Sequence, residues 1–382
     1  MNEDFSDRRI LVVDDVKANV DFLVEALRSE YKISVALGGE AALKVAEKAR
    51  PDLLLLDILM PGIDGLEVCR RLRAAPATQE IPVIFLSSLE DVRDKARGFE
   101  AGGNDYLTKP FDIVEVKMRV RSLLKAKAYT DAVREKIAEE LRIARDIQTG
   151  FLPADVASAA RAVGMDVAAV LEPALEVGGD LYEVSAGADG TLTVVVGDVS
   201  GKGIPASLFM CVTMTLVRTI ARSHPSPEVL LRHVNDALAA QNPQGLFTTL
   251  MCLRFDPKAG RVAFASAGHP PPVLLSPGRP PRFLEVEHGF PAGIFAGGEY
   301  ALQTCDLGPG ESLLLYTDGV TEAFDQSRRE FGDEGLLTCL AGGTIDGAAS
   351  TVKSVMAAVR RHAGDAPQSD DITVLTAGIP AA

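Results

Sequence analysis

Tryptophan is absent from this 382-residue chain, and histidine and cysteine are scarce, with five residues of each. The five cysteines are odd in number, widely spaced and mostly set within apolar runs. This distribution favours buried free thiols in a reducing compartment over disulfides. Because histidine and cysteine are so few, any metal ion would depend mainly on oxygen ligands.

An excess of basic charge and long apolar runs are also missing. Lys and Arg number 39 against 53 Asp and Glu, a net charge of −14. Segment 1–124 has 18 basic and 22 acidic residues, 125–153 has 6 and 5, and 154–382 has 15 and 26. No segment therefore has the basic footprint of a nucleic-acid binder. No run approaches the roughly 20 apolar residues of a membrane span, and the charged MNEDFSDRR start lacks the core of a signal peptide. We expect a cytoplasmic protein without nucleic-acid or membrane partners.

Short apolar strands alternate with helical patterns in the first third of the chain. The sequence predicts strands at 9–13, 33–36, 53–56, 83–87 and 106–109, and helices at 20–27, 40–49, 65–74 and 92–100. This alternation indicates a doubly wound parallel (βα)5 sheet with helices on both faces. Ligands of such sheets bind at the carboxyl ends of the strands. The sequence places Asp14, Asp15, Asp57, Ser87 and Lys109 at those ends.

The segments ILVVDD, LLLLDILMPGIDG, PVIFLSS and DYLTKPF resemble the receiver domain of two-component response regulators, over about residues 8–124. Three neighbouring carboxylates need a divalent ion, so we expect Mg²⁺ on Asp14, Asp15 and Asp57. The resemblance implies that Asp57 accepts a phosphoryl group from a sensor histidine kinase or a phosphotransfer protein. It further implies three switch residues: Ser87 as a hydrogen-bond donor, Lys109 as the partner of the phosphoryl oxygens, and Tyr106 as the aromatic that swings inward.

Four acidic stretches in the second half lie at the ends or starts of apolar strands. They contain Asp180, Asp198, Asp318 and the pair Asp370 and Asp371. Only tertiary folding could bring acids so distant in sequence together, and without a neutralising charge they would repel one another. Because the segments offer oxygen ligands, Mg²⁺ or Mn²⁺ is the expected cation.

These stretches belong to a longer series, GGDLY, GDVSGKGIPASL, FTTL, SAGHPPPVLL, YTDGVTEA and SDDITVL. In this order they resemble the metal-dependent Ser/Thr protein phosphatases of the PPM superfamily, in the SpoIIE-like branch, over about residues 155–377. The resemblance implies two or more Mg²⁺ or Mn²⁺ ions. It assigns them to Asp198 as a bridge, the Val199 carbonyl, Asp318, Asp370 and Asp371, with Asp180 on a bound water or a further metal. It also implies, as substrate, a phosphorylated anti-sigma-factor antagonist with a STAS fold.

The fold expected for this half is a sandwich of two sheets between helix layers. The sequence predicts strands at 193–196, 249–255, 262–265, 312–316 and 372–376, and helices at 204–221, 227–240 and 345–361. We expect His269 to serve packing rather than catalysis, and Ser200 to shape a turn, because neither lies in a nucleophile motif.

A helical pattern without internal proline joins the halves, from residue 113 to 152. Its apolar positions follow a three-four spacing at Val116, Val120, Leu123, Val133, Ile137, Leu141 and Ala144. One interpretation is a parallel two-stranded coiled coil that makes a homodimer. The alternative is a single amphipathic helix that folds back on its own domains.

The sequence thus predicts an α/β plus α+β protein in three parts: a receiver at 1–124, a helical linker at 125–153 and a phosphatase domain at 154–382. We expect phosphorylation at Asp57 to control the phosphatase through the linker. We expect phosphorylation of Asp57 to activate the phosphatase. The alternative is that it inhibits the phosphatase. The competing functional class is a phosphatase-like module that binds and sequesters a signalling partner.

Overall fold

The computed structural model describes residues 5–88, 92–222, 226–342 and 347–381. The chain divides into two compact units, Met1–Ala138 (unit 1) and Glu139–Ala382 (unit 2). The first residues of the helix predicted at 345–361 lie outside the described ranges.

Unit 1 alternates strands and helices as predicted. Its elements are β1 (Arg9–Val13), α1 (Lys17–Leu27), β2 (Lys32–Ala36), α2 (Gly39–Ala49), β3 (Leu53–Asp57), α3 (Gly65–Ala74), β4 (Val83–Ser87), α4 (Val92–Glu100), β5 (Asp105–Thr108) and α5 (Ile113–Thr149), the last of which ends in unit 2. The strands form one parallel sheet in the order β2-β1-β3-β4-β5. The predicted doubly wound fold is confirmed.

Both faces of this sheet are buried, which explains its continuous apolar strands. On β1, Ile10 and Val12 pack with α1 and the first turns of α5, while Leu11 and Val13 pack towards α2 and α3. Successive side chains of a strand point to opposite faces, so a strand covered on both sides must be apolar at every position. Asp57 is the last residue of β3 and therefore lies at the carboxyl end of the central strand.

Unit 2 contains two packed sheets. Its elements are α6 (Val156–Arg161), β6 (Asp166–Glu172), β7 (Leu181–Ala186), β8 (Leu192–Val199), α7 (Ile204–Ala221), α8 (Pro227–Ala239), β9 (Thr248–Asp256), β10 (Arg261–Ala267), β11 (Val273–Leu275), β12 (Arg282–Phe283), β13 (His288–Gly289), β14 (Gln303–Asp306), β15 (Ser312–Tyr316), α9 (Asp318–Thr321), α10 (Gly332–Gly342), α11 (Ala348–Ala363) and β16 (Ile372–Gly378). One sheet has the order β13-β10-β9-β8-β7, with β14 paired to β10; the other has the order β12-β11-β15-β16-β6.

A helix layer covers the outer face of each sheet. The inner faces meet in a core that includes Val194, Phe255 and Leu375. Outside, α7 and α8 pack on the first sheet, and α10 and α11 pack on the second. The predicted sandwich is confirmed. Short elements such as β12, β13 and α9 were not predicted, because two to four residues carry too little periodicity to distinguish a strand or helix.

Helix α7 is long and apolar enough to cross a membrane by length and composition alone. One third of its residues are buried. Met210 and Met214 lie on the face that packs in the core, whereas Leu208 and Val212 are exposed. The contacts of the buried face are those of a core helix in a sandwich.

The cysteines agree with the prediction of free thiols. Cys69 and Cys252 are buried, and Cys211, Cys305 and Cys339 are partly buried, all without a disulfide partner in the described ranges. Burial raises the pKa of Cys252 to about 12, so its thiol stays protonated at neutral pH.

Helix α5 ends at Thr149, slightly before the predicted limit at residue 152. Val116, Val120 and Leu124 are buried in the core of unit 1. Farther along, Val133 and Ile137 are exposed. Its central part therefore presents an uncovered apolar stripe.

Phe255→Ala should destabilise unit 2, because Phe255 fills the space between the two sheets. We expect a loss of roughly 3–5 kcal/mol in the free energy of unfolding. Chemical denaturation followed by circular dichroism measures it. Leu302→Ala, at a half-exposed position, is the control and should cost less than about 0.5 kcal/mol. Equal effects of the two substitutions would contradict the proposed core.

Candidate metal centres and active site

The acidic group of unit 1 lies at the carboxyl edge of its sheet. Carboxylate oxygens of Asp14, Asp15 and Asp57 all lie within 4.8 Å of one another. Lys109 follows β5 and places its Nζ 2.8 Å from Asp14 Oδ2 and 3.0 Å from Asp57 Oδ2. The parallel strands explain this convergence, since their carboxyl ends share one edge.

Burial and the contact with Lys109 have opposite effects on the pKa of Asp57. Burial raises the pKa of Asp57, and Lys109 partly offsets that effect. Hydrogen bonds to Asp14 and Asp57 raise the pKa of Lys109 in spite of its partial burial. Lys109 is one positive charge against three carboxylates, which leaves a negative excess that a divalent cation would neutralise.

The other two predicted switch residues lie on β4 and β5. Ser87 ends β4 and is buried. Tyr106 lies on β5 with its ring buried between Phe85 and Phe99, at centroid distances of 5.4 and 5.2 Å. A Cβ on Gly98 would lie 1.4 Å from the Tyr106 hydroxyl, so the inward ring requires glycine at position 98.

In unit 2, paired strand ends bring the distant acids together. Asp180 precedes β7, whose Leu181 pairs with Gly197, the neighbour of Asp198 on β8. Asp318 follows β15, whose Tyr316 pairs with Val374 near the start of β16. In an antiparallel pair the start of one strand lies beside the end of the other. Each sheet therefore places its acids at one end.

The charges of these acids interact. Burial, followed by the nearby charges of Asp318 and Asp370, raises the pKa of Asp198. Burial and Asp370 likewise raise the pKa of Asp318. Asp180 is fully buried, and burial together with Asp198 raises its pKa strongly. The predicted acids thus share one cleft, although their roles as metal ligands stay predictions.

Two threonines from the opposite sheet hold Asp180. Thr317 and Thr373 donate their Oγ1 hydrogens to Asp180 Oδ2 at 2.7 and 2.6 Å. The Thr373 amide also donates to Thr317 Oγ1 at 2.9 Å. This network links the two sheets and favours the ionised form of Asp180. Sequence reasoning missed both threonines, whose only signal was their position beside Asp318 and Asp371.

Asp371 is directed towards backbone amides. It accepts from the Ala174 amide at 2.7 Å through Oδ1 and from the Gly179 amide at 2.6 Å through Oδ2. A Cβ on Gly178 would lie 2.2 Å from Asp371 Oδ2, so this close approach requires glycine. Asp371 thereby positions the Gly-Gly-Asp segment. Its predicted role as a metal ligand would have to compete with these bonds.

Gln148, near the end of α5, grips the same segment. Its Nε2 donates to the Gly178 carbonyl at 2.5 Å, and its Oε1 accepts from the Gly178 amide at 3.2 Å. Gln148 is buried, whereas its helical neighbours are exposed. The last turn of α5 is therefore bonded to the backbone two residues before Asp180.

Lys202 is the positive charge at the cleft. Its Nζ lies 2.8 Å from Asp370 Oδ2, and it partly offsets the raised pKa of Asp318. Its signal in the sequence was the GDVSGKG turn, in which it comes four residues after Asp198.

A cavity of about 440 Å³ borders Asp198 and Asp318 and also contains His269, His288 and Asp333 in its lining. His269 is buried, and its Nδ1 lies 2.9 Å from Thr249 Oγ1. Burial lowers the pKa of His269 to about 3, so the ring is neutral. The expectation of a packing role fits this environment. Ser200 shapes a turn as expected, because its Oγ accepts the Phe247 amide hydrogen at 2.9 Å.

Comparison with known protein families identifies unit 2. Residues 188–380 match the family model described as Stage II sporulation protein E (SpoIIE). The chain belongs to the SpoIIE family. Residues 10–121 match the response regulator receiver domain, as the first series of motifs predicted.

Curated relatives match the receiver part. Response regulator PleD of Caulobacter vibrioides is 45% identical over 136 residues, which are 35% of this chain and 30% of PleD. The transcriptional regulator RpaA of Synechocystis is 42% identical over 118 residues, which are 31% of this chain and 49% of RpaA. The chain thus spans less than half the length of each of these relatives.

Solved structures match the phosphatase fold of the SpoIIE-family domain. The match to the SiaA-PP2C domain of Pseudomonas aeruginosa includes 64% of this chain and 97% of the SiaA chain, with a TM-score of 0.57 and 24% sequence identity. The PP2C phosphatase domain of SpoIIE from Bacillus subtilis, solved with a fragment of its regulatory domain, covers 56% of this chain and 63% of its own, with a TM-score of 0.51 and 19% identity. At these identities the likeness shows the fold.

The acids of the SpoIIE-family domain fit divalent cations by their donor chemistry. All are oxygen donors, and burial together with neighbouring carboxylates raises the pKa values of Asp198 and Asp318, an effect that a bound cation would offset. A Cβ on Gly179 would lie 2.8 Å from the Val199 carbonyl oxygen, so glycine at position 179 avoids crowding that oxygen. The residues present can therefore hold metal.

The raised pKa of Asp198 predicts the pH dependence of metal binding. In the metal-free protein the folded state keeps a proton that the unfolded chain, with an ordinary pKa of 3.8, releases. The free energy of unfolding of the metal-free protein therefore falls as the pH rises from 3.8 towards the raised pKa of about 7. Bound metal offsets this loss, because it stabilises the ionised form of Asp198. Mn²⁺ should raise the melting temperature more at pH 7.5 than at pH 5.5, as calorimetry would measure.

Asp198→Asn should abolish most of this Mn²⁺-induced shift. Asp306→Asn, at a highly exposed carboxylate, is the matched control and should keep it. Identical Mn²⁺ shifts in the two variants would exclude Asp198 as a ligand.

Removing the hydroxyls that hold Asp180 should weaken metal binding. In a Thr317→Val, Thr373→Val variant, Asp180 loses two donors to its ionised form, and we expect the Mn²⁺ dissociation constant to rise about 10- to 100-fold. Isothermal titration calorimetry measures it. Thr376→Val on the same strand is the control, because the buried Thr376 Oγ1 has no hydrogen-bond partner within the described residues. An unchanged Mn²⁺ dissociation constant in the double variant would show that the two threonines do not contribute to metal binding.

Proposed function

We propose that this protein is a response regulator whose output is a metal-dependent protein serine/threonine phosphatase. The observation that carries this proposal is the convergence of Asp180, Asp198, Asp318 and Asp370 from two sheets into one cleft. Burial and the neighbouring carboxylates there raise the pKa values of Asp180, Asp198 and Asp318. Membership in the SpoIIE family and the receiver match support it. The proposed domain limits are 1–124, 125–153 and 154–382.

The residues that would hold two or more Mg²⁺ or Mn²⁺ ions are Asp198, Asp318, Asp370, Asp180 and the Val199 carbonyl. Such ions lower the pKa of bound water and offset charge on phosphoryl oxygens. The hydrogen bonds of Thr317 and Thr373 hold Asp180 in position and oppose the rise in its pKa. Lys202 adds a positive charge at the edge where a phosphoryl group would enter.

In unit 1, Asp57 is the proposed phosphoacceptor. A carboxylate oxygen of Asp57 attacks phosphorus, and the bond to the donor breaks as the acyl phosphate forms. Mg²⁺ on Asp14, Asp15 and Asp57 would neutralise the incoming group. Lys109 already contacts Asp57 at 3.0 Å and is placed to pair with the new oxygens. A sensor histidine kinase or a phosphotransfer protein is the proposed donor.

Helix α5 is the proposed connection between the two sites. It begins in the core of unit 1, and its Gln148 holds Gly178 beside Asp180 in unit 2. A change at Asp57 that turns or orders α5 would therefore move the backbone that carries Asp180. The exposed Val133 and Ile137 support a homodimer through a coiled coil, which would cover them.

The finer proposal for the substrate is a phosphorylated anti-sigma-factor antagonist of the STAS type, in a partner-switching pathway. Its support is the motif series of the SpoIIE-like branch, which fills unit 2. We expect phosphorylation of Asp57 to activate the enzyme.

Phosphate release by the full chain tests the activity and its control. With Mn²⁺ and a serine-phosphorylated STAS-type antagonist, we expect hydrolysis that rises after beryllofluoride is bound at Asp57, because α5 joins the two sites. Asp57→Asn should lose the stimulation and keep the basal rate. Asp198→Ala with Asp318→Ala should lower turnover roughly 100-fold or more.

Undiminished turnover in the double variant would refute the phosphatase assignment. Equal rates with and without beryllofluoride would refute the coupling while leaving the phosphatase intact.

A further inference from the structure

An exposed apolar surface lies on the loop after β13. Phe290 is 67% exposed, Ile294 48% and Phe295 46%. The rings of Phe290 and Phe295 meet edge to face, with centroids 5.5 Å apart at 65°. Neighbouring exposed apolar side chains of this size mark binding surfaces more often than ordinary surface. We call Phe290, Ile294 and Phe295 the aromatic loop.

The aromatic loop is held in place by hydrogen bonds from α8 and the turn after it. Asn235 is buried, donates to the Phe295 carbonyl at 3.0 Å and accepts from the Gly293 amide at 2.9 Å. Asn242 donates to the Gly293 carbonyl at 2.8 Å, and Asp236 accepts from the Gly297 amide at 2.7 Å. These bonds fix the backbone in one conformation. Binding a partner there would cost little ordering entropy.

The loop is directly connected to the acidic cleft. Ala292 exchanges two backbone hydrogen bonds with Thr248, at 2.8 and 2.9 Å, and Thr248 Oγ1 donates to the Asp198 carbonyl at 3.0 Å. His288, two residues before Phe290, lines the same cavity as Asp198 and Asp318. The segment that carries the apolar surface is therefore bonded to the strand of Asp198 and begins two residues after a residue that lines the cavity.

We propose that the aromatic loop docks an apolar patch of the folded phosphoprotein substrate, beside its phosphorylated serine or threonine. This inference rests on the proposed function and deepens it. The connection to the cleft favours the substrate over a second copy of the chain, because a phosphoprotein whose phosphoryl group reaches Asp198 and Asp318 must place its surface beside that cleft. The substrate side chains recognised by the loop are apolar. Their contact with the rings of Phe290 and Phe295 adds binding energy at a place distant from the phosphoryl group.

The test compares a folded substrate with a short one that has the same phosphoserine. The probes are a serine-phosphorylated STAS-domain antagonist and a seven-residue phosphopeptide from it. In Phe290→Ala, the ratio of kcat/KM for the protein to kcat/KM for the peptide should fall about tenfold or more through KM. Phe295→Ala should act in the same direction. Leu302→Ala, half exposed outside the loop, is the control and should keep the wild-type ratio.

The dissociation constant of the full chain and the phosphorylated antagonist, measured calorimetrically in EDTA, separates docking from catalysis. If the dissociation constant rises about tenfold in Phe290→Ala, the docking proposal is supported, whether or not the antagonist is hydrolysed. An absence of hydrolysis would count only against the proposed function. An unchanged constant overturns the docking proposal. An equal fall in kcat/KM for the protein and for the peptide in Phe290→Ala also overturns it. So does a loss of self-association of this variant in sedimentation when the dissociation constant for the antagonist is unchanged.

Discussion

Repulsion among carboxylates confined in one cleft is the constraint on which unit 2 depends. Each acid has a different compensation. Asp371 receives backbone amides, Asp180 receives two threonine hydroxyls, and Asp370 pairs with Lys202. Burial and the neighbouring carboxylates still raise the pKa values of Asp180, Asp198 and Asp318, so these contacts do not fully offset the crowding of negative charge. A site with this imbalance favours cations, and bound cations in turn stabilise the fold around it.

The sandwich places these charges without exposing its core. Antiparallel pairing of β7 with β8 and of β15 with β16 puts strand starts beside strand ends, so the acids gather at one end. The hydroxyls of Thr317 and Thr373 then bond across from one sheet to the other. The same end carries the cavity and the aromatic loop, so recognition of a phosphoprotein and its hydrolysis would use one edge of the domain.

Helix α5 gives the proposed regulation a physical basis. A helix transmits displacement along its length because its backbone hydrogen bonds resist bending. The buried Val116 and Val120 tie its start to unit 1, and the paired hydrogen bonds of Gln148 tie its end to the Gly-Gly-Asp segment.

The sequence by itself determined the parallel sheet around Asp57, the family, the acids of the cleft and the long helix. Local periodicity and short motifs specify those features, because each depends on neighbours along the chain. Only the tertiary structure decided that Asp371 binds amides, that Thr317, Thr373, Gln148 and Lys202 surround the site, and that Phe290 stands exposed beside it. These contacts join residues distant in sequence, and a threonine or phenylalanine at such a position has no periodicity that distinguishes it from a core or surface residue.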